Sequence, residues 1–96
     1  MQVLITYDVS TTTAKGRRRL RQVAKTCLDY GQRVQNSVFE CLIDPAQLVN
    51  VRSRLLKIID PAEDSLRIYQ LGHDWNNRVE HHGTKSSFDP GGPLIV

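Results

Sequence analysis

Residues at period two open the chain. Val3, Ile5, Tyr7 and Val9 fall on one parity, and Leu4, Thr6 and Asp8 on the other, the spacing of a strand with two unlike faces. The period then lengthens. Leu20, Val23, Ala24 and Cys27 recur at i, i+3, i+4 and i+7, which predicts an amphipathic helix over about residues 13–30 with Gly31 as its stop. Residues 33–43 return to extended character. Asn36-Ser37 punctuates them, so a short strand, a tight turn and a longer strand are expected, with one bent strand as the alternative. Phe39, Cys41 and Ile43 share the core face of the longer strand. Asp44-Pro45-Ala46-Gln47 carries an N-cap acid, a proline at N1 and the glutamine of a capping box. The helix it opens has the stripe Leu48, Val51, Leu55, Ile58 and Ile59, and Asp60-Pro61 ends it. Ala62 to Ser65 connects to a last strand, Leu66 to Leu71, ended by Gly72.

Strand, helix, strand, strand, helix, strand predicts an α+β fold, a ferredoxin-like βαββαβ sandwich over residues 1–72. Two helices cover one face of its sheet. The other face is left bare, which calls for a partner such as a second copy. Residues 73–96 form a tail in which Arg78 to His82 reads as an additional strand, able to extend its own sheet or a neighbour's. Trp75 reads as a packing anchor for the tail. No stretch is long and apolar enough for a membrane span, and there is no leader pattern, so a cytoplasmic protein is expected. Cys27 and Cys41 lack metal-ligand spacing and read as free, buried thiols.

Charge changes this picture in one place. Lys15, Arg17, Arg18, Arg19, Arg21 and Lys25 are six of the thirteen cations, and no acid lies between Val9 and Leu28. The remainder of the chain has seven cations against ten acids. Such a run is either a solvated helix face or a footprint for a polyanion. Lys25 and Asp29 are spaced to pair at i, i+4. The cations crowd the first half of the helix, where its dipole opposes them, and that placement leans toward binding.

Asp8 is the best chemical candidate, since it ends a strand just before this basic segment. The ordinary alternative is a turn or helix cap. Adjacent residues on a strand face opposite ways, so His81 and His82 should not chelate one ion. The chain has no phosphate-cradling glycine loop and no serine-triad signature. One carboxylate is a poor cation site by itself, but two copies meeting at a two-fold axis would bring two together. A metal-dependent phosphodiesterase follows as a coherent proposal.

Tyr7-Asp8-Val9, the segment Arg19 to Lys25, the stretch Gly31-Gln32-Arg33-Val34-Gln35-Asn36-Ser37-Val38-Phe39-Glu40-Cys41 and Asp64-Ser65-Leu66-Arg67-Ile68-Tyr69 together resemble CRISPR-associated protein 2 over nearly the whole chain. The resemblance implies a ferredoxin-like homodimer whose C-terminal strands cross to the partner. It implies that Asp8, with its symmetry mate, is a ligand for one shared Mg²⁺ or Mn²⁺ and a catalytic carboxylate, with Tyr7 as its neighbour. Arg33, Ser37 and Phe39 match positions tied to activity or nucleic-acid contact. Arg19 and Arg21 are the best matches for the helix arginines, and Arg17 and Arg18 are further phosphate contacts. The implied activity is a metal-dependent endonuclease on RNA or DNA in spacer acquisition. The alternative is a non-catalytic DNA-binding scaffold that bridges the CRISPR-associated protein 1 integrase. A third reading is an unrelated ferredoxin-like dimer, such as a toxin-type ribonuclease.

Overall fold

The computed structural model describes residues 1–72 together with Glu80 and His82. Its elements are β1 (Gln2–Asp8), α1 (Ala14–Leu28), β2 (Gln32–Gln35), β3 (Val38–Leu42), α2 (Pro45–Ile58) and β4 (Ser65–Gly72). Each expected element of residues 1–72 is present, and the hairpin reading of residues 33–43 holds, with Asn36 and Ser37 forming the turn. The expected strand over residues 78–82 and the anchoring of Trp75 lie outside the described residues. Of that region only Glu80 and His82 are described, with side chains 3.1 Å apart.

The strands make one antiparallel sheet in the order β2-β3-β1-β4. β1 lies between β3 and β4, so its core-face residues Val3, Ile5 and Tyr7 are buried, as is Val9 just beyond its end. Phe39 and Cys41 of β3 join them. The two helices pack against each other and lay Val23, Cys27, Leu48, Val51 and Leu55 on that core. The opposite sheet face carries no helix. On it Leu42 is 61% exposed and Tyr69 42% exposed.

Both helices start as their capping chemistry directs. The Thr13 hydroxyl accepts from the Gly16 amide at 3.0 Å, and Asp44 and Gln47 exchange the two bonds of a capping box. Asp8 is therefore not the cap of α1. The Lys25–Asp29 pair is replaced by another. α1 ends at Leu28, and Asp29 accepts instead from Arg54 of α2 at 2.9 Å. Gly16 has a special duty: a Cβ there would collide with the Ser10 carbonyl. Its absence lets the first turn of α1 rest directly on the loop that follows Asp8.

Candidate functional site

Asp8 ends β1 at the margin of the helix-free face, and its side chain is exposed. The β1–β4 register sets Asp8 opposite Ser65, Thr6 opposite Arg67 and Leu4 opposite Tyr69. All six share one face, because both strands run through this stretch without a bulge. The result is an open hollow of about 340 Å³ lined by Thr6, Tyr7, Asp8, Ser65, Arg67 and Tyr69. Arg67 donates to the Tyr69 hydroxyl at 3.4 Å. Neither Asp8 nor Arg67 has an ion-pair partner among the described residues. A carboxylate, a guanidinium, two aliphatic hydroxyls and a phenol thus face solvent together.

These donors suit a hard cation. Mg²⁺ keeps most of its waters and is commonly held by one or two carboxylates plus substrate phosphate. Asp8 supplies one carboxylate, and the Thr6 and Ser65 hydroxyls offer oxygen nearby. No group of three His, Cys, Asp or Glu side chains capable of closing around a metal occurs among the described residues.

Tyr7 lies where the alternation of β1 puts it, on the face opposite Asp8. As the neighbour of Asp8 on a strand, its side chain points through the sheet to the helical layer and is 5% exposed. The Tyr7 amide donates to Ser37 O at 3.1 Å, and its hydroxyl to Asn36 O at 3.3 Å. Burial pushes the phenol up from its ordinary value, with Cys27 adding to the rise and Arg33 opposing it. It remains a neutral donor that ties β1 to the β2–β3 turn, and it does not meet the Asp8 carboxylate. Phe39 has no exposed surface. It stacks on Tyr7 with centroids 6.1 Å apart, and the Arg33 guanidinium carbon sits 5.2 Å from its ring centroid. Its place is in the core. Arg33 is half-buried over the Phe39 ring, and its Nε is buried without a hydrogen-bond partner among the described residues. Ser37 lies at the turn beside it, partly exposed.

The helix arginines separate into two groups. Arg17, Arg18 and Arg21 are exposed, and Arg17 donates to Thr11 O at 3.2 Å. Arg19 lies on the buried side of α1. Its Nε and Nη2 donate to Asp64 at 2.7 and 3.2 Å. The Asp64 side chain has no solvent exposure, and it also accepts from the Ser10 amide at 3.1 Å and the Asp60 amide at 2.9 Å. Asp64, Ser65, Arg67 and Tyr69 were not singled out as site residues from the sequence. The signal for the last three was the parity of β4, which becomes informative only once its register against β1 is known. Cys27 and Cys41 are free and buried, and burial pushes their thiols up to about 12 and about 11. Neither is a thiolate nucleophile at neutral pH.

Asp64 makes acid stability testable. The Arg19 guanidinium holds its carboxyl below the ordinary 3.8. A carboxyl depressed in the folded state stabilises fully above its unfolded pKa and loses that contribution as pH falls through the folded value. Urea unfolding of the parent and Asp64→Asn should therefore show a constant stability gap above about pH 5 that narrows below about pH 4. Parallel acid limbs in the two proteins would contradict this role for Asp64.

Residues 1–79 match the family model described as CRISPR associated protein Cas2. The chain is 62% identical to the CRISPR-associated endoribonuclease Cas2 of Chlorobaculum tepidum over 96 residues, all of both chains. It is 56% identical to the CRISPR-associated endonuclease Cas2 of Halalkalibacterium halodurans over 95 residues, 99% of each. The crystal structure of Streptococcus pyogenes Cas2 matches it with a TM-score of 0.76 at 60% identity, covering 86% of this chain and 100% of that one. No helix among the described residues is long and apolar enough to cross a membrane.

Proposed function

The chain belongs to the CRISPR associated protein Cas2 family, and from that premise we propose that it is a nucleic-acid-binding, metal-dependent endonuclease of CRISPR adaptation in the cytoplasm. The observation that carries this reading is the Asp8 carboxylate, without an ion-pair partner among the described residues, facing solvent beside Thr6, Ser65, Arg67 and Tyr69. The names of the relatives from C. tepidum and H. halodurans support a nuclease. The working form is a ferredoxin-like homodimer, consistent with the order β2-β3-β1-β4. Its bare sheet faces pack together across Leu42 and Tyr69, and residues 73–96 extend the partner's sheet. Asp8 and its symmetry mate hold one Mg²⁺ or Mn²⁺. When bound, that ion neutralises phosphate charge and makes water more acidic. Arg67 binds the phosphate oxygens through its fork of donors. Tyr69 orients that fork, and the Thr6 and Ser65 hydroxyls hold water or phosphate oxygen by hydrogen bonds. The test is cleavage of RNA and DNA by the parent and Asp8→Asn proteins with Mg²⁺ or Mn²⁺.

One observation favours a second reading, a non-catalytic scaffold that binds DNA and bridges the CRISPR-associated protein 1 integrase. The exposed arginines belong to α1 in the helical layer, whereas Asp8 opens on the opposite sheet face. Nucleic acid lying along α1 need not reach Asp8. Both readings assign Arg17, Arg18 and Arg21 to phosphate. Neutralising all three should make the plot of log affinity against log salt shallower by about 0.9 per lost contact on duplex DNA. An unchanged slope would reduce the basic run to a solvated helix face.

A further inference from the structure

A polar cluster outside the Asp8 hollow ties three separate segments of the chain to one carboxylate. Asp64 is two residues from the loop turn at Ala62, and its side chain is wholly buried. It accepts from Arg19 of α1 through two nitrogens, from the amide of Ser10 and from the amide of Asp60. Four donors on one carboxylate leave little of its acceptor capacity unmet. Ser10 is two residues beyond Asp8, and Asp64 immediately precedes Ser65, the residue across the ladder from Asp8. Gly16 brings the first turn of α1 against the Ser10 carbonyl. The end of β1 is thus held from its amide side by Asp64 and from its carbonyl side by α1.

We propose that Arg19 and Asp64 act as a positioning pair that fixes where the Asp8 carboxylate stands, and that Arg19 does not contact nucleic acid. This deepens the nuclease reading and, for its kinetic part, rests on it. Arg19 has its Nε and one terminal nitrogen on Asp64, and its side chain is 18% exposed. Arg17, Arg18 and Arg21 are directed to solvent on the same helix. A guanidinium engaged in this way is a strut between α1 and the loop after Asp8. The two-pronged contact also demands arginine: a lysine ammonium is a point charge and cannot reproduce a planar fork. Displacing a reacting group by about 1 Å lowers a rate on the order of 10²-fold, so loosening this strut is felt at Asp8 without any lost contact to substrate.

Arg19→Lys is the decisive variant, because it keeps the positive charge and loses the fork. Arg19→Lys, the neutral Arg19→Gln, Asp64→Asn and the Arg19→Lys/Asp64→Asn double variant are compared with the parent by circular dichroism, by nucleic-acid affinity across a salt series and by amide hydrogen exchange at Ser10. Mn²⁺-induced broadening of the Thr6 to Asp8 amide signals and the kinetics of cleavage complete the set. The proposal expects faster Ser10 exchange in each variant and an unchanged salt slope. It also expects a fall in kcat on the order of 10²-fold with little change in KM, and a double variant no worse than the worse single one. Restoration of parental kcat and Ser10 exchange by Arg19→Lys would overturn it. So would a slope in Arg19→Gln shallower by about 0.9, the mark of a lost phosphate contact. If the parent does not cleave, the nuclease reading fails by itself. The Ser10 exchange, the salt slope and the Mn²⁺ broadening then decide the positioning role. Asp64→Asn protein that does not fold leaves Arg19→Lys to decide it.

Discussion

Asp8→Asn should lower the proposed metal-dependent cleavage by roughly 10²–10⁴-fold, the range carried by one positioned catalytic group, and should leave the domain folded. The first half follows from chemistry. An amide cannot match a carboxylate as a ligand for a hard cation, and among the described residues no other carboxylate lines the hollow. The second half follows from burial. Asp8 is exposed and makes no ion pair among the described residues, so its near-isosteric replacement should shift stability by no more than about 0.5 kcal/mol. If two such carboxylates approach across a dimer, the substitution also relieves their repulsion, and the dimer persists or tightens. Any binding of RNA or DNA along α1, as proposed above, should persist as well. Cleavage at the parental rate by rigorously purified Asp8→Asn protein would eliminate Asp8 chemistry. A parent that never cleaves, with Asp8→Asn still competent for spacer acquisition, would establish the scaffold reading instead.

Phe39→Ala should unfold much of the population rather than remove a nucleic-acid contact. Phe39 is fully buried against Tyr7 and beneath Arg33. Emptying such a site costs about 3–5 kcal/mol, a large share of the roughly 5–15 kcal/mol that holds a domain together. For a domain of this size the melting temperature should fall by more than about 10 °C. Arg33 would lose its aromatic platform and Tyr7 its stacking partner, so the β2–β3 hairpin should loosen first. Phe39→Leu fills more of the space and should recover much of the loss. Calorimetry beside binding at low temperature separates the two roles. Lost affinity with an unchanged melting temperature would return Phe39 to the ligand surface.

The contrast between Asp8 and Phe39 shows how far the sequence reached. The family resemblance implied a role for both, and a resemblance by itself does not separate a residue that faces solvent from one that supports it. Alternation along β1 already put Tyr7 and Asp8 on opposite faces, and the buried Tyr7 bears that out. Phe39 also shared the core parity of its strand. For both residues local periodicity was the better guide to position.

Residue order alone determined the elements of residues 1–72, because each is specified by local signals: period two in β1, the apolar stripes and capping residues of α1 and α2, and the turn at Asn36-Ser37. It also determined that Asp8 ends a strand just before a run of cations. The partners of those residues were decided only in three dimensions. Arg19 stood in the same basic run as Arg17, Arg18 and Arg21, and its carboxylate partner 45 residues away was set only when α1 was laid on the sheet. Asp29 was equally placed for Lys25 until α2 brought Arg54 to it. Ser65, Arg67 and Tyr69 joined Asp8 only through the register of β4 on β1. Helix periodicity and capping act within a few residues, so a single segment specifies them. Strand register and long-range ion pairs depend on which faces the shared core brings together, and no segment holds that information by itself.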